Sequence, residues 1–216
     1  MGESTALRRS GRPMRTTRTV PPATSSEETA TARRYVPGVR VVAGSAGGRR
    51  LAAPPGEAVR PTADRVREAT FNALGSLGAV EGATVLDLFA GSGAMGIEAL
   101  SRGAASATFV DRDPKALAAV RANLDATGLA DRATVVRADA ARWLAGAGRF
   151  DLAVLDPPYA TDDAMWAQLL GALDAEVAVL ESDRQVSLPG GWGILRSRSY
   201  GGSVVVLART NRPAER

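Results

Sequence analysis

Between residues 84 and 181, short apolar runs alternate with segments of helical spacing, and that rhythm leaves few folds open. The runs 84–89, 106–110, 133–137, 150–155 and 176–181 are short, rich in Val, Leu and Ala, and bounded by Gly, Asp or Pro, as buried strands are. The stretches between them predict helices over 94–102, 114–127, 140–146 and 162–172. Repeated strand–helix alternation predicts a mainly parallel sheet with helices on both faces. One more helix precedes it, capped by Thr62 or Asp64 and running through Val66, Phe71 and Leu74 to Gly75 or Gly78. The segments 193–196 and 204–207 predict a closing antiparallel pair.

Composition removes whole classes of chemistry. The 216 residues contain no Cys and no His. Disulfides, thiolate nucleophiles, Cys-based zinc sites, Ser-His-Asp triads and imidazole bases are therefore excluded within this sequence. Catalysis must rest on carboxylates, backbone groups, Arg, Tyr or a cofactor. Aromatic residues make up only 5%, so the core must be built of Ala, Val and Leu. No apolar run reaches bilayer length and the N-terminus has no apolar signal region, which predicts a soluble cytoplasmic protein.

Charge is unevenly spread. Residues 1–60 hold eleven Arg against four Glu, a charge of +7, so the remainder of a chain whose net charge is +4 carries −3. A basic leading segment on a mildly acidic domain suits a polyanionic partner such as nucleic acid, or is simply a solvated tail. Residues 1–37 lack any hydrophobic period and are expected to be a disordered basic extension. Residues 38–58 are expected to form a small basic β-hairpin turning at Gly44 to Gly48, with Arg49 and Arg50 as candidate RNA contacts. An edge hairpin with no RNA role fits those residues equally well. The main domain is expected over 59–210, with a tail at 211–216.

The tetrapeptide Asp156-Pro157-Pro158-Tyr159 follows the run 150–155. Two consecutive prolines cannot continue a strand, so the chain must leave the sheet stiffly at its carboxyl edge, where open α/β sheets bind ligands. A carboxylate, a rigid stretch of carbonyls and an aromatic ring suit gripping a planar base by its exocyclic amine.

Glycines 91, 93 and 96 form a G-x-G-x-x-G between a strand and a helix, which permits close approach of a ligand to a helix N-terminus. Asp111 ends the next strand, where a carboxylate can accept both ribose hydroxyls; Asp139 closes the third and can reach an adenine amine. A dinucleotide would share these features. Asp87 argues against one, because a carboxylate there faces the place of a pyrophosphate and favours instead the ammonium of a methionine moiety. S-adenosylmethionine has that ammonium, a sulfonium, a ribose and an adenine.

With Asp87, Phe89-Ala90-Gly91-Ser92-Gly93-Ala94-Met95-Gly96, Asp111, Asp139 and Asp156 to Tyr159, the chain resembles the class I S-adenosylmethionine-dependent methyltransferases. The stretch Arg60-Pro61-Thr62-Ala63-Asp64-Arg65-Val66-Arg67-Glu68-Ala69-Thr70-Phe71-Asn72 narrows the resemblance to the RsmD family, bacterial enzymes that methylate N2 of a guanine in small-subunit (16S) ribosomal RNA. The resemblance covers about residues 38–210. It implies a Rossmann-like α/β fold with a seven-stranded sheet, the last strand antiparallel, and no metal. It implies that Asp87, Phe89, Ala90, Gly91, Ser92 and Gly93 hold the methionine and ribose side of S-adenosylmethionine. Asp111, with Arg112 beside it, would take the ribose, and Asp139 with Ala140 the adenine. Asp156, Pro157, Pro158 and Tyr159 would hold the target base. Arg60, Thr62, Arg65 and Arg67 join Arg49 and Arg50 as candidate RNA contacts, Glu68 being a possible ion-pair partner for one of them. A monomer acting on ribosomal RNA, free or within a small-subunit particle, with no membrane, is expected. A DNA or RNA amino-methyltransferase acting on adenine N6 or cytosine N4 shares the base grip. A non-catalytic RNA-binding protein shares the basic arm.

Overall fold

A computed structural model of the chain describes residues 1–2, 39–54 and 63–211. Nearly all of the expected extension, the segment 55–62 with Arg60 and Thr62, and the tail from 212 lie outside the described residues.

Helix α1 (Ala63–Ser76) leads into β1 (Thr84–Leu88), α2 (Ala94–Ser101), β2 (Ser106–Asp111) and α3 (Pro114–Thr127). These are followed by β3 (Ala133–Arg137), α4 (Ala140–Leu144), β4 (Phe150–Leu155), α5 (Asp163–Ala172), β5 (Ala175–Ser182), β6 (Trp192–Tyr200) and β7 (Ser203–Thr210). From α1 to β7, the order and type of these α-helices and strands match the sequence expectation. The start signals are visible: Asp113 accepts from the Lys115 amide ahead of Pro114, and Asp162 caps α5 by accepting from Met165 N at 2.8 Å.

The seven strands form one sheet in the order β3-β2-β1-β4-β5-β7-β6. β7 pairs antiparallel with both β5 and β6, so it alone runs against the rest, and it is the last strand in the chain. The chain steps outward from β1 through β2 to β3, then returns to β4 on the other side of β1. That reversal makes the crevice between the carboxyl ends of β1 and β4 the topological switch point, where such sheets bind ligands.

Strand alternation divides the core into two layers. Val85, Phe109, Leu152, Val154, Val177, Val179, Val205 and Leu207 pack with Phe71 and Leu74 of α1, Ile97 and Leu100 of α2 and Val120 of α3. Their neighbours Leu86, Leu88, Ala153, Leu155, Ala178, Leu180 and Val206 face the opposite layer, with Leu144 of α4 and Trp166 and Leu169 of α5. Full burial of each large apolar side chain contributes roughly 1.5–3 kcal/mol, so this double layer holds the sheet's register against slippage.

The segment before α1 departs from the expected hairpin. Among the described residues 39–54 there is a single antiparallel bridge, Arg40 with Arg50, flanked by Val41 N–H to Arg49 O (2.9 Å) and Leu51 N–H to Val39 O (2.7 Å). The amides that would lengthen a ladder are directed at α2 instead. Val42 N–H and Ala43 N–H donate to the two oxygens of Glu98 (2.7 and 3.1 Å), Ser45 N–H to Ser101 O (2.8 Å) and Ala46 N–H to Ser101 Oγ (2.9 Å). Gly44 makes this docking possible: its φ is +85°, and a Cβ there would lie 1.9 Å from Ser101 O.

Glu98 is fully buried, with the Arg102 Nε at 2.6 Å and the Arg67 Nε at 3.7 Å. Arg67, itself 4% exposed, also donates through Nη2 to Arg40 O (2.5 Å) and Asp64 Oδ1 (2.8 Å). The candidate RNA contact Arg67 is therefore an internal tie between α1, the docked segment and α2. Glu68, exposed on α1, is not its partner. Removing one member of a buried ion pair strands the other. Glu98→Ala is expected to lower the unfolding free energy by about 3–5 kcal/mol in urea titrations, and Glu98→Gln by less.

Candidate active site

Three carboxylates converge where β1, β2 and β4 end. Asp87 lies on β1 opposite Phe109 of β2 and Val154 of β4. One residue beyond the last pairs, Leu88 with Val110 and Leu88 with Leu155, Phe89, Asp111 and Asp156 come level across the three strands. Asp87 sits two residues deeper, about 7 Å along the strand. Alternation puts Asp87 and Asp156 on the same sheet face, the one covered by α1, α2 and α3.

The glycine turn is built tightly around Asp87. Phe89 has φ +64°, rare for a large side chain, and its amide and that of Ala90 both donate to Val110 O (3.0 and 3.1 Å). The strand therefore stops abruptly, one residue short of the expected 84–89. Gly91 and Gly93 take left-handed φ values of 52° and 77°, and Gly93 caps α2. Gly96 has a different reason for lacking a side chain: a Cβ would lie 2.4 Å from Phe109 Cε1 and 3.1 Å from Asp87 Oδ2. Its amide donates to Asp87 Oδ2 at 2.8 Å.

Asp111 closes the turn from the neighbouring strand. Its Oδ2 accepts from Gly91 N–H (3.0 Å) and its Oδ1 from Asp113 N–H (2.9 Å), and each oxygen keeps a further lone pair. Arg112, next to it, is exposed. Asp139 is the N-cap of α4, accepting from Arg142 N–H at 3.1 Å, with Ala140 buried behind it. The tetrapeptide leaves β4 with Asp156 exposed, Pro157 buried and Tyr159 39% exposed. Pro158 O accepts from Thr161 N–H (2.9 Å), and Arg184 beyond β5 holds this turn from behind by donating to Thr161 O (3.0 Å).

Asp87 is 3% exposed and no salt bridge among the described residues reaches it. Burial pushes its carboxyl from 3.8 to about 7 against the pull of the Gly96 amide, and the charges of Asp156 and Asp111 push in the same direction as burial. A buried acid without a cation, among other acids, is an arrangement that a cationic ligand would relieve. It would repel a pyrophosphate.

Asn123 is a residue that sequence reasoning passed over. From α3 its Oδ1 accepts from Ala52 N–H (2.7 Å), while its Nδ2 donates to Ala52 O (2.9 Å) and to Ser92 O (2.9 Å). One buried amide thus joins the N-terminal segment to the glycine turn. Its signal was a polar residue on the apolar stripe Ala116, Val120, Leu124. Of the expected RNA contacts, Arg49 is exposed and donates to Ala126 O (2.6 Å), Arg50 is exposed at the bridge, and Arg65 is exposed on α1. Arg60 and Thr62 lie outside the described residues.

Comparison with known proteins bears on this geometry. The family model described as Conserved hypothetical protein 95 matches residues 39–209. YlbH of Bacillus subtilis, whose name assigns it provisionally to the rRNA methyltransferases, is 42% identical over 177 residues, covering 76% of this chain and 94% of YlbH. The ribosomal RNA small subunit methyltransferase D of Escherichia coli K12 is 43% identical over 122 residues, covering 56% of this chain and 60% of that protein. The solved structure of yhhF from Escherichia coli, whose description assigns it provisionally to the methyltransferases, superposes with a TM-score of 0.71 at 33% identity, covering 82% of this chain and 99% of that one.

The buried acid has a consequence for stability. Below pH about 4 Asp87 is protonated both folded and unfolded, and its burial carries no charge penalty. As pH rises toward about 7 the unfolded state has already released the proton that the folded state retains, so stability falls across that window. Urea unfolding of the protein alone, from pH 4 to 8, is expected to show wild type losing on the order of a few kcal/mol relative to Asp87→Asn. Parallel curves would contradict this.

Proposed function

The chain belongs to the RsmD family of class I S-adenosylmethionine-dependent methyltransferases, and we propose that it transfers a methyl group to the exocyclic N2 of a guanine in 16S ribosomal RNA. The observation that carries this reading is the stacking of levels at the switch point: Asp111, and Asp156 at the start of the turn to Tyr159, stand two residues above the buried Asp87, which has no ion pair among the described residues.

The residues fit the cofactor. Asp87 would hold the methionine ammonium, and the backbone of Phe89 to Gly93, opened by its glycines, would lie against the methionine and ribose side. Asp111 keeps lone pairs for the ribose hydroxyls after serving two backbone amides, with Arg112 beside it. Asp139 and Ala140, at the start of α4, would face the adenine. When bound, S-adenosylmethionine supplies an electrophilic methyl group on a sulfonium. The chain's own contribution is positioning.

A guanine amine is a poor nucleophile because its lone pair is delocalised into the ring. In this reading Asp156 and the Pro157 carbonyl accept its hydrogens, drawing nitrogen toward sp³ geometry, while Asp156 stabilises the positive charge that grows there and, being exposed, passes the proton the methylated nitrogen loses to solvent. Pro157 and Pro158 keep those acceptors stiff, and the exposed face of Tyr159 fixes the base plane. A base inside a helix cannot reach this turn, so the target is one that lies in a loop or is turned out.

Asp156→Ala is expected to lower kcat for methylation of 16S rRNA from a strain lacking the modification by about 10²–10³-fold, leaving S-adenosylmethionine affinity within about twofold. Labelled-methyl incorporation and calorimetry measure the two. A variant that methylates at near wild-type rate would remove Asp156 from its role.

A further inference from the structure

The sheet register links the candidate site to arginines far along the chain. Asp87 of β1 pairs with Val154, Val154 with Val179, Val179 with Leu207 and Leu207 with Arg196 of the edge strand β6. Two residues higher, Asp156 stands level with Glu181, which pairs with Val205, which pairs with Arg198. Val205 and Leu207 face the layer that holds α1, so Arg196 and Arg198 lie on the same sheet face as the two acids. Three strand intervals separate Asp156 from Arg198, about 14 Å.

Both arginines are exposed, and beyond the backbone pairing of β6 with β7 the side chain of neither makes a hydrogen bond or ion pair with another described residue. Other arginines of the domain are spent on acids: Arg67 and Arg102 on Glu98, Arg149 on Asp174, Arg184 on Asp163. Arg196 and Arg198 line a shallow recess with Tyr200 and with Ala69, Thr70 and Ala73 of α1. The end of α1 feeds β1 through a short turn, so its first turn lies toward the carboxyl edge of the sheet. The exposed Arg65 is there, one helical turn before Ala69 on the same stripe. An acidic pocket for a cationic cofactor repels phosphates, so an RNA strand reaching Asp156 needs cations beside the pocket and not within it.

We infer that Arg65, Arg198 and Arg196, with Tyr200, form a track for the phosphates of the single strand flanking the target base, running from the Asp156 turn over the start of α1 to the β6 edge. This rests on the reading of the protein as an RNA methyltransferase. Unpaired cations beside an aromatic ring suit a single strand, which is held by its backbone and by stacking. Edge-strand charge also guards against pairing with another chain, and the experiment separates the two roles.

The test compares wild type, Arg196→Ala/Arg198→Ala and Arg142→Ala, the last removing an exposed charge from α4 against the opposite layer. Binding of fluorescent oligouridine is followed across a salt series, and kcat and KM are measured on unmethylated 16S rRNA transcript. The double variant is expected to bind oligouridine at least about tenfold more weakly, with a salt slope shallower by roughly 1.4, the value for two lost phosphate contacts on a single strand. Its KM for the transcript should rise by a similar factor, with kcat within about twofold, and Tm and S-adenosylmethionine affinity unchanged. Arg142→Ala should match wild type. Unchanged oligouridine affinity and slope, or increased aggregation with no change in binding, would overturn the track. If oligouridine binding falls as expected but wild type leaves the transcript unmethylated, the track stands and the guanine reading fails.

Discussion

The Asp87 carboxylate lies inside the interface between β1 and α2, where its Oδ2 accepts the Gly96 amide, and much of the domain is arranged around keeping it there. Gly96 can carry no Cβ because the Phe109 ring and the carboxylate already fill that space. The strand must end at once to let the chain turn over the acid, and Phe89 takes a left-handed backbone to do it. Burial without a cation raises the acid's proton affinity, a cost the fold carries in every molecule and that a bound ammonium would offset.

The N-terminal segment is coupled to the same centre by polar side chains reaching across the sequence. Glu98 and Ser101 hold it on α2, and Asn123 holds Ala52 and Ser92 together. Arg49 and Arg50 are thereby carried on a segment fastened to the glycine turn. Buried amides and carboxylates of this kind fix one arrangement because every alternative leaves a polar group unsatisfied.

Much of this was legible in the sequence where the signal is local. The strands read from apolar runs, α3 from Asp113-Pro114, and the ligand edge from Gly91 to Gly96 and from Asp156-Pro157-Pro158. What was not legible depends on contacts between distant residues. Val42 and Ala43 looked like hairpin strand because nothing nearby records that their amides meet Glu98, some 55 residues on. Arg67 read as a candidate RNA contact or as half of an ion pair with Glu68, because a helical pattern does not reveal that a buried acid from α2 faces it. Arg196 and Arg198 stood in a stretch read only as a closing strand, and their level with Asp87 and Asp156 exists only through four pairings of the sheet.

The central claim is that this site places a guanine amine against the methyl donor. Incubating the protein with unmethylated 16S rRNA and S-adenosylmethionine carrying an isotopically labelled methyl group, then digesting the RNA to nucleosides for mass spectrometry, tests it directly. Label in N2-methylguanosine, at one position of the RNA, is the predicted result. Label in N6-methyladenosine or N4-methylcytidine, or no incorporation by protein that binds the cofactor, would contradict it.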